Sequence, residues 1–380
     1  MKKFYIFLLI IFVLCSCTNK SSKLNDVNDY LDSDLIDEEI EKVTYEPTII
    51  TTKLVMAGDA LTHESVYLDN KTDNGYDFTY PLKNVKNIVK DYSLAYYNQE
   101  TVLGGSNYPI TGYPVFNTPQ EVGDALIDAG FNLVSLATNH LLDYYNVYGK
   151  ELICSQRNYF LKYPNIIASG SYLSNEDKDK VVIGEKNGLT YALLSYTAYS
   201  NTPGPLADES YLINYIDKET IENDVKKYRD NVDLLIVAMH WGEEGSLEEN
   251  DYQREYAKFL ADLDVDIVIG THPHVLQPIE WIDDTLVFYS LGNLYSNQYF
   301  NIDNLSSVLA SVDVVKTYNE EGSSITIQNI TCDMIFTDLY DKHKVYLYRD
   351  LNDAQLKNKD EYFTKYKNIL TKYVDNIDVN

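Results

Sequence analysis

The sequence predicts a layered α/β domain over residues 51 to about 300. Two observations carry this. Short apolar runs of strand length alternate with polar segments of helix length, and the residues best suited to bind metal fall where the apolar runs stop. Strand ends are where open α/β sheets place their ligands, so the second observation supports the first.

In chain order, Lys2-Lys3, the apolar run Phe4 to Leu14 and Cys15-Ser16-Cys17 have the charged, apolar, small-residue order of a secretory signal over residues 1–16. Leu14-Cys15-Ser16-Cys17 resembles a bacterial lipobox, which makes Cys17 the expected lipid anchor. The apolar run is about half of the roughly 20 residues a spanning helix needs, which argues against an uncleaved membrane span. Residues 17–50 are acidic, with Asp26, Asp29, Asp32, Asp34, Asp37, Glu38, Glu39 and Glu41 and no apolar periodicity, and are expected to form a disordered tether. The expected location is the outer face of the cell membrane, as a lipoprotein.

Strands are expected at Thr52 to Ala57, Leu133 to Ala137, Leu189 to Tyr196, Leu234 to Met239, Asp266 to Ile269 and Leu286 to Tyr289. Helices are expected at Pro119 to Ala129, Tyr145 to Phe160, Asp217 to Tyr228 and Asn250 to Leu263, the first opening on a Thr118 cap and a first-turn proline. Residues 301–380 change character. Two β-rich stretches, Val308 to Val315 and Ser324 to Cys332, precede a charged helix around Asp353 to Tyr373, giving a C-terminal extension packed on the core. His343, in a run of charged residues, reads as a solvated surface histidine.

The chemistry sits at the strand ends. His272-Pro273-His274 presents two imidazoles two residues apart; in an extended segment both point the same way, and Pro273 stiffens them. Asn139-His140 follows an apolar strand, so the amide oxygen of Asn139 can ligate a hard cation while the His140 imidazole stays free for proton transfer. Asp59 supplies a carboxylate after the first strand. Glu100, after Leu94 to Tyr97, supplies a second, placed to bridge two cations that would otherwise repel each other. His240 ends another strand. His63 lies four residues beyond Asp59 and could face the same metal if the chain turns helically between them. Taken singly, each has an ordinary reading: Asn139 as a helix cap, Glu100 as a solvated charge, His63 as a structural histidine. Taken together they read as one site, since five of the 6 histidines lie at or near strand ends.

Composition narrows the partners. A formal net charge of −27 opposes nucleic acid and bare anionic surfaces, and divalent cations could offset that repulsion locally. Beyond the leader, Cys154 and Cys332 have no metal or redox spacing and read as two buried thiols or a disulfide that sequence cannot assign. The 35 tyrosines, including Tyr96-Tyr97, Tyr144-Tyr145 and Tyr295, reflect biased composition or line a groove for an extended polymer.

These motifs resemble the poly-γ-glutamate capsule-synthesis protein family (CapA type), a branch of the calcineurin-like metallophosphoesterases. The matching stretches are Leu54 to His63, Asn98 to Thr101, Gly112 to Pro119, Asn132 to Asp143, His240 to Glu244, and Asp266 to Gln277 with Tyr289 to Asn293. The resemblance implies a four-layer α/β/β/α sandwich holding two divalent metal ions (Mn, Fe, Zn or Mg). It implies Asp59 and His274 on one metal, Asn139, His240 and His272 on the other, Glu100 between them, and His140 as the acid that protonates a leaving oxygen. The chain departs from the common pattern at His63, four residues after Asp59 rather than two, and at Glu100 in place of aspartate. Tyr144 replaces a common glycine and Thr271 a common histidine.

The implied activity is a membrane-anchored, phosphoesterase-like hydrolase acting in synthesis, release or export of poly-γ-glutamate or a similar anionic envelope polymer. Expected partners are that polymer or a phosphoester substrate, the membrane through the lipid, and capsule-synthesis membrane subunits. The competing expectation is a non-catalytic, metal-stabilised scaffold or polymer-binding subunit.

Overall fold

The structure, a computed structural model, describes residues 47–319 and 322–380; the expected signal, Cys17 and the tether lie outside the described residues. Two sheets dominate. The first runs β14-β13-β12-β1-β2-β3-β4. Its parallel half is β1 (Thr48–Ala60), β2 (Leu94–Gln99), β3 (Leu133–Ser135) and β4 (Ile167–Ser169). Its antiparallel half is β12 (Ser306–Asn319), β13 (Gly322–Asp338) and β14 (Lys344–Leu347). A short strand, β11 (Asn293–Tyr295), joins β1 in parallel at Asp59 and Ala60, and β15 (Asp378–Val379) joins β13.

The second sheet runs β9-β10-β8-β7-β6-β5. These are β5 (Gly184–Lys186), β6 (Leu189–Thr197), β7 (Leu234–His240), β8 (Ile267–Thr271), β9 (Ile279–Ile282) and β10 (Thr285–Phe288). The inner four are parallel.

The near-continuous apolar runs are explained by burial on both faces. From β1, Leu54 and Met56 face the second sheet, where they pack with Leu193, Ile236, Ile269 and Phe288. Val55 and Ala57 face the other way, onto helices α2 (Lys83–Val89), α3 (Glu121–Ala129) and α5 (Glu151–Phe160), through Val85, Leu126 and Phe160. The outer face of the second sheet is covered by α6 (Lys218–Tyr228) and α7 (Asp251–Ala261), through Ile221, Val225, Ala257 and Leu260. Four layers, α/β/β/α, result as expected.

The expected Thr118 cap is a correction: α3 opens at Glu121 behind Gln120 with no side-chain cap, because Thr118 Oγ1 donates to Thr101 Oγ1 instead. Asp217 accepts the Thr220 N–H at the start of α6, and Asn250 with Gln253 forms a capping box at α7. The helix expected over Tyr145 to Phe160 is broken: α4 (Tyr145–Tyr148) stops at Gly149, whose positive φ of 57° turns the chain before α5. Residues 301–380 pack on the core by entering it, since β12 pairs along most of β1 and α8 (Lys359–Leu370) lays Tyr366 and Leu370 on the inter-sheet core.

Three further expectations are settled here. His343 is a correction: it is buried at 2% exposure, held beside Asp69, Ser65 and Asn297, because the tight turn before β14 folds it onto α1 (Glu64–Asp69). Cys154 and Cys332 are free thiols, half-buried and buried respectively. Tyr96, Tyr97 and Tyr295 are core residues and line no groove.

Candidate metal centre

The site lies where the carboxyl ends of the parallel strands in both sheets meet. Asp59 comes from the end of β1, Glu100 from just beyond β2, Asn139 and His140 from the loop after β3, His240 from the end of β7, and His272 and His274 from the loop after β8. All seven are buried, with His140 the least so. Close backbone approach builds the cradle. A Cβ on Gly58 would lie 1.8 Å from the Gly292 carbonyl oxygen, and Asp59 N–H donates to that same oxygen at 3.0 Å. Gly58→Ala should therefore push β1 away from the Gly292 turn; overpacking of this kind costs about 1–3 kcal/mol or more, read as a lowered melting temperature with metal affinity lost alongside.

Hydrogen bonds orient each imidazole. His274 Nδ1–H donates to Asn293 Oδ1 at 3.0 Å, leaving Nε2 at 3.5 Å from Glu100 Oε1. His240 Nδ1 accepts from the Thr271 hydroxyl at 2.9 Å and faces Asn98 Nδ2 at 3.4 Å, while its Nε2–H donates to Asn139 Oδ1 at 2.9 Å, a proton whose place a cation between the two would take. His272 Nε2 is engaged by the Tyr199 hydroxyl at 2.8 Å, and its Nδ1 is buried with no hydrogen-bond partner. Outer partners of this sort set which nitrogen can ligate. Asp59 is oriented in turn by Asn98 Nδ2 at 2.7 Å and by the His272 N–H at 3.1 Å.

The two histidines of the β8 loop are not extended, and this corrects the expected geometry. His272 has φ 95° and His274 φ 59°, both left-handed, so the loop doubles back, aims the His272 N–H at Asp59 and leaves the two rings 5.8 Å apart. Non-glycine residues in that region cost on the order of 1–3 kcal/mol each and persist at functional sites where the surroundings hold them.

The donor set fits divalent cations. Ligand atoms of Asp59, Glu100 and His274 all lie within 4.8 Å of one another, and a second group joins Glu244 to His272 and His274. Neither oxygen of buried Glu100 accepts a hydrogen bond, and an orphaned buried carboxylate is costly without a cation. Burial also drives the Glu100 carboxyl well above its usual range. Burial and the neighbouring imidazoles push His240 well down and His272 down to about 3, so both stay neutral donors. His274 goes the other way: burial pulls it down, but the Glu100 and Asp59 carboxylates outweigh this and push it up to about 10. A proton held between carboxylates is the positive charge that a cation would replace.

His140 stands apart from the ligands. Its Nδ1–H donates to Asp143 Oδ2 at 2.8 Å, and its ring lies edge-on to Phe116 with centroids 4.7 Å apart. Asp143 also accepts the Phe116 N–H at 2.8 Å, so ring and carboxylate are braced together. His63 is placed differently from the others. It sits at the N-cap position of α1 without a side-chain cap bond, its Nδ1 lies 3.1 Å from the Asn297 N–H and 3.3 Å from the Leu61 carbonyl, and it packs on Phe116. Sequence reasoning missed Asn98, Tyr199, Thr271 and Asn293 as orienting groups; three of these lie inside or beside the strand-end motifs, and that adjacency was the available signal.

A model of the bacterial capsule synthesis protein family (PGA_cap) matches residues 53–298, which hold all seven residues. The chain belongs to that family. Within it, the chain is 35% identical over 190 residues to the PGA biosynthesis protein CapA of Bacillus subtilis (strain 168), covering 48% of this chain and 47% of that protein. It is 28% identical over 333 residues to the capsule biosynthesis protein CapA of Bacillus anthracis, covering 80% of this chain and 75% of that one. The match thus spans about half the length of the B. subtilis relative. Among solved structures, the chain resembles a putative 5'-nucleotidase from Staphylococcus aureus at TM-score 0.48 and 16% identity, covering 82% of this chain and 58% of that one. It also resembles the calcineurin-like phosphoesterase YfkN from Bacillus subtilis at TM-score 0.40 and 13% identity, covering 74% and 91%.

Proposed function

We propose that this member of the capsule synthesis family is a two-metal hydrolase of the cell envelope. Its substrate is poly-γ-glutamate or a similar anionic polymer, or a phosphoester formed during its synthesis, release or export. It works at the outer face of the membrane, held by a lipid on Cys17 and the acidic tether of residues 17–50, beside membrane subunits of the capsule machinery.

Asp59 and His274 would hold one cation, Asn139, His240 and His272 the other, and Glu100 would lie between them. Bound there, the cations would lower the pKa of an attacking water and neutralise charge developing on the substrate. The protein's own part is orientation and proton transfer. Asp143 holds the Nδ1–H, so Nε2 is the nitrogen left for the substrate, and when the ring carries its second proton the Nε2–H is the one given to a departing oxygen. The observation that carries this reading is the braced His140–Asp143 pair beside the ligands, because a purely structural metal centre needs no such acid.

The test is turnover of p-nitrophenyl phosphate and bis-p-nitrophenyl phosphate by the full chain. Activity should vanish on chelation and return with Mn²⁺. Tight Mn²⁺ binding with neither ester turned over, at any loading, would instead favour the scaffold.

A further inference from the structure

The loop after β7 folds back over the histidine loop. Gly245 N–H donates to the Pro273 carbonyl at 2.8 Å, and Gln277 Nε2 donates to the Ser246 and Glu248 carbonyls at 2.9 and 3.0 Å. Gly242 and Gly245, at φ 91° and 77°, supply the left-handed turns that this path requires. The result is that Glu244, an exposed residue, brings a carboxylate oxygen and one ring nitrogen each of His272 and His274 within 4.8 Å of one another. His274 belongs equally to the Asp59–Glu100 group. Glu244 thus stands on the solvent side of the centre, while Glu100, at 1% exposure, is its buried carboxylate.

The charge around the centre is one-sided. Among the described residues, no hydrogen bond or ion pair of Asp59, Glu100, Asn139, His240, His272 or His274 involves a lysine or arginine. An incoming anion would be drawn by the cations and would face, on the solvent side, the like charge of Glu244. Opposite the open edge of such a pair, a carboxylate can complete the coordination that a substrate oxygen would otherwise supply.

We propose, resting on the two-metal reading above, that Glu244 is a displaceable outer ligand of the metal pair. It closes the centre at rest, and it selects against dianionic phosphate monoesters in favour of groups carrying one negative charge or none, such as a phosphodiester or an amide.

The experiment measures binding of inorganic phosphate to the Mn²⁺-loaded full chain by calorimetry, after Mn²⁺ stoichiometry has been established. Glu244→Gln should bind phosphate about tenfold more tightly than wild type, since a like charge facing the anion is removed, and Mn²⁺ about tenfold less tightly. Glu244→Asp should stay within about twofold of wild type for phosphate, because the charge is kept. Glu243→Gln removes the same charge from the neighbouring exposed residue and should change phosphate affinity less than about twofold. Unchanged or weaker phosphate binding by Glu244→Gln would overturn the proposal, and so would an equal gain in Glu243→Gln, which would mean net charge alone is being read. Failure of the wild type to bind Mn²⁺ would remove the two-metal reading itself. Two bound Mn²⁺ with phosphate indifferent to residue 244 would remove only the role of Glu244.

Discussion

In Glu100→Gln, the rise in melting temperature that Mn²⁺ gives the wild type is expected to disappear. At a free Mn²⁺ concentration of about 100 times its Kd, binding stabilises the wild type by about 2.7 kcal/mol, a shift on the order of 4 °C for a chain of this size. The variant should show none of it, because Glu100 is the buried carboxylate that shares a candidate ligand group with Asp59 and His274 and, in the proposed centre, lies between the two cations. Turnover should fall by about a thousandfold or more with it. The metal-free variant should be no less stable than metal-free wild type. With Glu100 neutralised, His274 keeps the Asp59 carboxylate at 3.3 Å as its partner, so no unpaired charge is left in the core. Thermal unfolding with and without Mn²⁺ decides this, and an Mn²⁺-dependent shift of wild-type size in the variant would take Glu100 out of the centre.

His140→Ala is the second substitution of large effect, and it should separate chemistry from metal binding. Mn²⁺ affinity should stay within about twofold of wild type, since the imidazole is tied to Asp143 and contributes to neither metal-binding group. Turnover should fall by about 10²–10⁴ on substrates with poor leaving groups, the usual contribution of a positioned acid. The loss should shrink on p-nitrophenyl esters, whose leaving group departs without a proton. Equal losses on both kinds of ester would show that His140 is not a proton donor. Asp143→Asn should have a milder effect of about 10–100-fold, since it disturbs only the orientation and tautomer of the ring.

How much of this was legible in the sequence follows from what kind of signal each residue leaves. His240, His272, His274, Asn139 and Asp59 announced themselves because each follows a buried strand, and the end of an apolar run is visible without coordinates. The orienting residues were harder to see. Thr271 and Asn293 are ordinary polar residues until the fold brings them against His240 and His274, at 31 and 19 residues' separation. His63 was misleading in a different way: its spacing from Asp59 suits a helix, but β1 runs on through Ala60 and His63 itself sits at the N-cap position of α1, so no helical turn connects them. His343 sits among charged neighbours and looked solvated, yet long-range packing against α1 buries it. The break at Gly149 shows the same limit from the other side, since the apolar spacing on both sides of it continues and only the backbone conformation interrupts.

The pairing of β1 with β12 has a consequence for how the molecule comes into being. The strand that carries Asp59 lies in the middle of the first sheet, yet one of its flanks is covered only by residues some 250 positions later, as in the contact of Met56 with Ala310. Until that distant segment arrives, β1 has an open edge able to recruit the wrong strand. Enclosure of β1 therefore comes late in assembly, and a chain interrupted before residue 306 would expose that edge and be prone to aggregate.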